Sequence, residues 1–584
     1  MAVIDPHAGV IIFYRDLIME KRAIVAVILS LAVWLLWFYI APPTEKPEQQ
    51  VAKQEEQIPN QDAVQKQQKT VKPAATQVQK TSDFSRGVES AAAVDVVSRA
   101  GSSREYSVKT DRYAGELTNT GAAIDELFLR ERDIQLVVKD NQFNAEGKFD
   151  FAMHFSEREF LTGNNLQEVK WRSRKISDSE YSFTATMMLN GVPVQVEKRF
   201  IFPEGKDFVQ VVFNITNTGR KDVQVPNGYI IFSPGDFIGP QMDYESRYNT
   251  ISSIYYIQDD FEQAHKSGDL NDPDEWIERE NGTTGWVGIM SRYFLLIMMP
   301  EQMSGTGVIY DNREGTGFRT GMYMPVDTFT RNDTVTRSFK VYIGPKNKDQ
   351  LVAVDKSLRD AADVNKWIEP IRDLVIWSLL SIDSLIGNLG WSLVIFSLLT
   401  KIVFLPLTQK STESMKKMQE LNPQIQELRN KYKEKPEVMN KKVMELYKKN
   451  KVNPMSGCLP LLLQMPFFFA LYSALINSVD LWQAPFILWI QDLSLPDTVM
   501  QIQGFNLNIL PVIMTITTFL QQKLSSVDAA SQQQKFMMFM PLIILVVLWN
   551  MPSGLVIYWI MQNVLQVLHQ LYINKKGKAE AAEA

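Results

Sequence analysis

What most constrains this chain is a crowd of long apolar runs behind residue 388. GWSLVIFSLLTKIVFLPLT at 390–408 is followed by CLPLLLQMPFFFALYSALINSV, FNLNILPVIMTITTFL, FMMFMPLIILVVLW and LVIYWIMQNVLQVLHQLYI. A sixth run, IVAVILSLAVWLLWFYI at 24–40, stands alone near the start. Crossing a hydrocarbon core about 30 Å thick takes roughly 17–25 apolar helical residues. The expected fold class is therefore a polytopic α-helical membrane protein with six transmembrane helices. The overall composition, 45% hydrophobic and 22% charged, conceals this segregation. The 24–40 run follows Lys21 and Arg22 and precedes Ala41-Pro42-Pro43 rather than a small-residue cleavage site, so it reads as a retained first transmembrane anchor rather than a signal peptide.

Short loops rich in Lys and Arg stay on the cytoplasmic side. Residues 409–457 carry 12 Lys and Arg against 6 Asp and Glu, whereas 481–508 and the turn NMPSG carry no Lys or Arg. Residues 409–457 are accordingly placed in the cytoplasm and the other two outside. The expected spans are 24–40, 389–408, 458–479, 505–522, 536–549 and 555–573, with a periplasmic loop at 480–504 and a cytoplasmic loop at 523–535. The N-terminus (1–23) and the tail (574–584) then both lie in the cytoplasm. Residues 82–350 fall outside, with 30 basic and 40 acidic residues; in a bacterium that outside is the periplasm, and the chain a multi-pass protein of the cell inner membrane.

Residues 41–102, rich in Gln, Lys and Pro, lack the apolar side chains for a core and are expected to form a disordered linker. From 103 to 350 the pattern alternates, as in FVQVVFNITNTG, where Val209, Val211, Phe213 and Ile215 share a face and Asn-Thr-Gly marks a turn. Many such strands predict a large all-β, antiparallel sandwich domain. Residues 365–388 read as an interfacial amphipathic helix, with Trp367, Ile371, Leu374, Ile376 and Trp377 on one side and Arg372 and Asp373 opposed, or simply as the beginning of the second span. Within 409–457, Met415, Met418, Leu421, Ile425, Leu428 and Tyr432, then Met439, Val443 and Leu446 after KEKPE, predict a helical hairpin.

No catalytic motif and no metal-ligand spacing is present: His7, His154, His265 and His569 are scattered, and Cys458 has no partner. No cofactor is expected. Lys401 is the informative residue. It either snorkels about 10 Å to the cytoplasmic headgroups or faces a hydrated groove between helices. Thr400, Gln464, Ser473, Asn477, Gln562, Asn563 and Gln566 favour the groove, although any one of them alone can be packing glue. Pro406, Pro460, Pro466, Pro511 and Pro541 are expected to interrupt spans. Met465, Met537, Met538, Met540 and Met551 either fill the core, as methionines do by default, or form a surface that accepts varied apolar partners. Two runs, of 16 and 14 residues, are short for a normal bilayer and imply local thinning.

Through KVNPMSGCLPLLLQMPFFFALY, LWQAPFILWIQDLS and FMPLIILVVLWNMPSGLVIYWIMQN, with GWVGIMSRYFLL and FKVYIGPKN in the exported region, the chain resembles the YidC/Oxa/Alb family, in its long Gram-negative YidC-type insertase form with a large periplasmic domain. The resemblance implies a conserved five-helix core, a periplasmic β-supersandwich of the kind found in sugar mutarotases, and a hydrophilic groove open to cytoplasm and lipid. The family's groove arginine falls on Lys401, which keeps the charge but loses the planar fork. The same resemblance places Gln464 in the substrate groove, where the polar pattern also puts Thr400, Ser473 and Asn563; it places Met465, Pro466, Met540 and Pro541 on a substrate-sliding face, and Trp549, Tyr558 and Trp559 at aromatic positions of the groove and interface. Members of the family usually begin a few residues before the first span, which here would be Met19, so residues 1–18 are either a mis-set start or an extension.

The implied function is a non-enzymatic membrane protein insertase and chaperone. Its implied partners are nascent membrane proteins, membrane lipids, the Sec translocon and, through the cytoplasmic hairpin, the ribosome and signal recognition particle system. Two other readings are a secondary transporter or channel with Lys401 as an ion or proton site, and a periplasmic carbohydrate module. No paired inverted repeats support the first, and two lone histidines support the second poorly.

Overall fold

The computed structural model describes residues 94–96, 101–137, 149–162, 165–235, 237–240, 251–264, 277–311, 319–362, 368–433, 435–450, 452, 459–502, 505–525 and 532–583. The anchor expected at 24–40 and the expected start at Met19 lie outside these residues, as do His7, His265 and Cys458.

Antiparallel strands build the first part. Eleven strands of a 14-stranded sheet run in the order Val94–Val96, Glu180–Leu189, Val192–Ile201, Val209–Asn217, Thr334–Pro345, Phe294–Pro300, Ile277–Met290, Gly305–Asp311, Arg319–Pro325, Tyr229–Ser233, Ala152–His154; off this path, Arg172–Lys175 pairs with Glu180–Leu189, and Ser252–Ile257 pairs with both Ile277–Met290 and Asp260–Gln263. Alternation sets the register: Val209, Val211, Phe213 and Ile215 are buried, and Val211 lies opposite Phe339. Asn217 makes the turn that its Asn-Thr-Gly sequence suggested, its Oδ1 accepting from the Gly219 N–H at 2.9 Å. A four-stranded sheet over Glu105–Val137 shares one core with the large sheet through Leu117, Leu127, Phe183 and Phe213. Strand Phe294–Pro300 is apolar on both faces because both are covered. Phe294, Leu296 and Met298 enter that core, while Leu295, Ile297 and Met299 pack under Leu351, Leu358 and Ala361 of the short helices that follow the sheet.

Eight helices of the second part are α1 (Glu369–Ile386), α2 (Leu389–Glu420), α3 (Asn422–Lys431), α4 (Pro436–Lys449), α5 (Leu459–Asn477), α6 (Leu510–Ser525), α7 (Gln532–Val547) and α8 (Ser553–Glu583). Among the described residues one helix, over Leu389–Met418, is long and apolar enough to cross a membrane by length and composition. α1 stops at Gly387, whose φ of +71° a side-chain-bearing residue adopts only with strain.

The structure departs from the expectations in six places. Val94–Val96, inside the stretch expected to be linker, pairs with Leu189–Met187, giving that strand a partner along its edge. Phe505–Asn508, expected to open the fourth span, is a strand paired with Thr498–Ile502, and α6 starts at Leu510, where the Asp497 carboxylate receives the Ile509 and Leu510 N–H groups at 2.9 and 2.7 Å. α2 runs unbroken past Thr408 to Glu420, and Pro423 in the first turn of α3 explains the break beside Leu421. In α1, Arg372 is buried with Ile368, Val375 and Leu379, and Leu374 and Trp377 point outward, because Arg372 turns inward, where Glu369 also meets Lys348 and Arg359. Pro460 and Pro511 occupy first turns, where no intrahelical N–H bond is due, while Pro406, Pro466 and Pro541 sit inside continuous helices. The expected tail is helical, α8 continuing to Glu583.

Candidate functional site

α2, α5, α6 and α8 bring a chain of polar side chains into an otherwise apolar helical body. On α2, Ser397, Thr400 and Lys401 lie within four residues and so share a face. On α8, Gln562, Gln566 and Gln570 recur every four residues, with Asn563 beside them; all of these α2 and α8 side chains are buried. Lys401, only 8% exposed, donates from Nζ to Gln566 Oε1 at 2.5 Å. The Gln562 amide donates to the Ser397 carbonyl at 3.0 Å and to Thr400 Oγ1 at 3.1 Å, and it accepts from Gln464 Nε2 of α5 at 2.9 Å. Asn563 donates to Thr517 Oγ1 and Thr518 Oγ1 of α6 at 3.2 and 2.8 Å.

Four helices are thus cross-linked by amides and hydroxyls around one ammonium group. An ammonium has three donors, and among the described residues its acceptor is an amide, not a carboxylate. A buried cation held this way is complementary to an incoming carbonyl or carboxylate. Ser473 stands apart, near the other end of α5, accepting from Asn477 Nδ2 at 3.4 Å.

The remaining candidates are more dispersed. Met465, Pro466 and Met540 are half-buried and Pro541 is buried; the outward face of α7 is formed by Phe539, Leu542, Ile543 and Val546. Tyr558 is buried beside Phe396, and Trp559 meets Phe468 edge to face at 5.3 Å. Trp549 lies between α7 and α8, donating from Nε1 to the Asn506 carbonyl at 2.9 Å.

Sequence reasoning missed Ser397, Thr517, Thr518 and Gln570. A signal existed for Gln570 in the four-residue repeat of glutamines. None existed for Ser397, Thr517 and Thr518, since hydroxyls in apolar helices usually bond their own backbone, as Ser397 does with the Leu393 carbonyl at 2.7 Å.

The β part grips the end of α5. Buried Arg292 donates to the Ile476 and Ser494 carbonyls, both at 2.9 Å, and Tyr293 OH to Ser494 Oγ at 3.0 Å. Burial pushes the Tyr293 phenol up to about 12, so it remains a donor. Arg132 adds an ion pair with Asp480 and a 3.0 Å bond to the Val479 carbonyl. Cations at the C-terminal carbonyls of a helix also complement its dipole. Elsewhere in the sheet, His154 is buried against Phe160, and burial, aided by Arg319, pushes it down to about 3. Such a neutral histidine makes a poor general acid at neutral pH. Among the described residues no three His, Cys, Asp or Glu side chains are grouped as metal ligands.

Two families match the chain. The one described as 60Kd inner membrane protein matches residues 381–580, and the one described as YidC periplasmic domain matches residues 105–377. The membrane protein insertase YidC of Pelobacter propionicus is 32% identical over 95% of this chain and 99% of its own length. That of Geobacter metallireducens is 31% identical over 97% of this chain and 100% of its own. Among solved structures, an active YidC insertase crystal structure with its first transmembrane domain resolved is similar at 17% identity and a TM-score of 0.34, over 82% of this chain and 94% of that one.

Proposed function

The chain belongs to the YidC family of membrane protein insertases, and from that membership we propose how its helical part works. It is an insertase and chaperone that places integral proteins in the bacterial inner membrane; its substrates are membrane proteins and its surroundings membrane lipids. In our reading the Lys401, Gln566, Gln562, Gln464 and Asn563 cluster forms the wall of a hydrophilic groove open to cytoplasm and lipid. A polar stretch of an incoming chain exchanges water for these amides and for the ammonium. Its apolar stretch meanwhile passes to lipid beside Met465, Pro466, Met540 and Pro541.

The observation that carries this reading is the buried Lys401 ammonium, directed at an amide oxygen of a neighbouring helix. A polar group moved unaided into hydrocarbon costs about 2–7 kcal/mol, whereas each buried apolar methylene returns about 0.8 kcal/mol. Hydrogen-bonding partners on the way in therefore let partition of the apolar segment drive the whole step, with no nucleotide and no catalytic residue.

α6 and α7 have 16 residues each, about 24 Å at ~1.5 Å per residue, which supports a thinned bilayer beside the groove. Six spans, cytoplasmic termini and a periplasmic β-supersandwich complete the proposed architecture. The exposed lysines of α4, among them Lys441, Lys442, Lys448 and Lys449, supply the face for the ribosome, the signal recognition particle system or the Sec translocon. The test is complementation of a bacterium depleted of its own insertase by wild type, Lys401→Arg and Lys401→Leu. Growth with the first two and not with Lys401→Leu at matched expression is expected. Equal growth with Lys401→Leu would remove the charge from the mechanism.

A further inference from the structure

We propose that the hairpin preceding α6 lies in the outer lipid leaflet, its apolar face turned to the acyl chains, so that lipid is its binding partner. Strands Thr498–Ile502 and Phe505–Asn508 pair with Met500 opposite Leu507, Ile502 opposite Phe505, and Gln501 opposite Asn506. Because successive side chains alternate, this register sorts the hairpin into two faces. One holds Met500, Ile502, Phe505 and Leu507, exposed by 54, 53, 57 and 37%; the other holds the Gln501 and Asn506 amides, with Val499, also exposed, as the extra residue at the register shift between Thr498 and Met500. No residue from 498 to 508 is charged.

A two-stranded ribbon is marginal in water, and uncharged exposed edges invite aggregation. This one is held by Trp549 along its length, from Asn508 at the base to Phe505 at the far end of the pairing. Trp549 stacks on Phe505 at 5.4 Å, and Asn508 Nδ2 donates to the Trp549 carbonyl at 2.6 Å. α6 starts two residues after Asn508 and turns Val512, Ile513, Ile516, Phe519 and Leu520 outward. The apolar face of the hairpin is thus continuous in the chain with the lipid-facing surface of a spanning helix, and Trp549 marks the depth at which aromatic residues gather in membranes. A ribbon of two faces at that depth lies in the interface as an amphipathic helix does, its apolar side about 5–10 Å into the headgroup boundary. The proposal rests on reading α6 as membrane-spanning, and its test checks that separately.

In a Cys458→Ser background, full-length protein carrying Met500→Cys, Ile502→Cys, Gln501→Cys, Phe519→Cys or Ile176→Cys is labelled with an environment-sensitive fluorophore. It is reconstituted in phosphatidylethanolamine and phosphatidylglycerol vesicles. Lipid spin-labelled near the headgroup is expected to quench the Met500 and Ile502 labels about fivefold more than the Ile176 label, with iodide showing the reverse order and Gln501 between. Iodide quenching of the Met500 and Ile502 labels equal to that at Ile176, with Phe519 quenched by lipid, would overturn the hairpin proposal and leave the spanning helix intact. Iodide quenching at Phe519 as well would overturn both.

Discussion

A lysine and a histidine, both buried, show how one physical cost is met in opposite ways. Lys401 keeps an amide partner inside the helical body, whereas His154 sits against Phe160 and is held neutral. An ion pair at about 4 Å in an effective dielectric near 20 is worth roughly 4 kcal/mol before desolvation, and losing a third of that slows a step about tenfold. Lys401→Leu is therefore expected to insert a substrate with an acidic translocated segment about tenfold more slowly in proteoliposomes, and Lys401→Arg at close to the wild-type rate. A substrate without carboxylates should show a smaller difference.

His154 gives a pH dependence. Its pKa in the folded protein, about 3, lies below the unfolded value near 6.5, so the unfolded chain binds the extra proton. Stability is full above pH ~6.5 and falls as pH drops towards ~3, by up to about 1.4 kcal/mol per unit. Thermal melts of wild type and His154→Gln between pH ~7 and ~4.5 should diverge by that slope. Parallel curves would mean that His154 does not couple to unfolding.

At the scale of elements, capping contacts decide where helices begin. Asp497 receives the Ile509 and Leu510 N–H groups and the Trp489 indole N–H, tying the start of α6 to the loop before it. Asp497→Ala is expected to cost about 1–2 kcal/mol, read as a lower melting temperature in detergent, while Asp497→Asn, which keeps an acceptor oxygen, should lose less. This cap also explains why the hydropathy of FNLNILPVIMTITTFL misplaces the helix start. Phe505 and Leu507 are apolar enough for a span, yet they pair with Ile502 and Met500 in a ribbon, a competition between local patterns that periodicity alone does not resolve.

For the whole molecule, the question is how the two parts depend on each other. Arg292, Tyr293 and Arg132 bond to the end of α5 and the segment after it, and Trp482 packs on Tyr293 and Phe294. None of these groups belongs to the polar cluster around Lys401. A variant lacking residues 103–350 should therefore still insert substrates but melt at a lower temperature. Arg292→Ala in the full chain should reproduce part of that loss, about 2–3 kcal/mol, because it strands the Ile476 and Ser494 carbonyls. Hydrogen exchange at residues 475–482 is the direct readout, and unchanged exchange in both variants would mean that the grip carries no energy.

Much of this architecture was legible in the chain alone. Apolar runs, alternation between 103 and 350 and turn residues depend on local composition and period, so they survive without tertiary information. So did the anomaly of Lys401, because an ionisable residue in an apolar run demands a polar partner wherever it lies. Tertiary structure decided which partner. Gln566, 165 residues away in sequence, meets Lys401 only because α2 and α8 pack side by side. It decided equally that Arg372 turns inward, that Arg292 reaches the end of α5, and that Val94–Val96 joins a sheet instead of a linker. Each of these is a contact between distant segments, set by which surfaces come to be covered rather than by the preference of any local stretch.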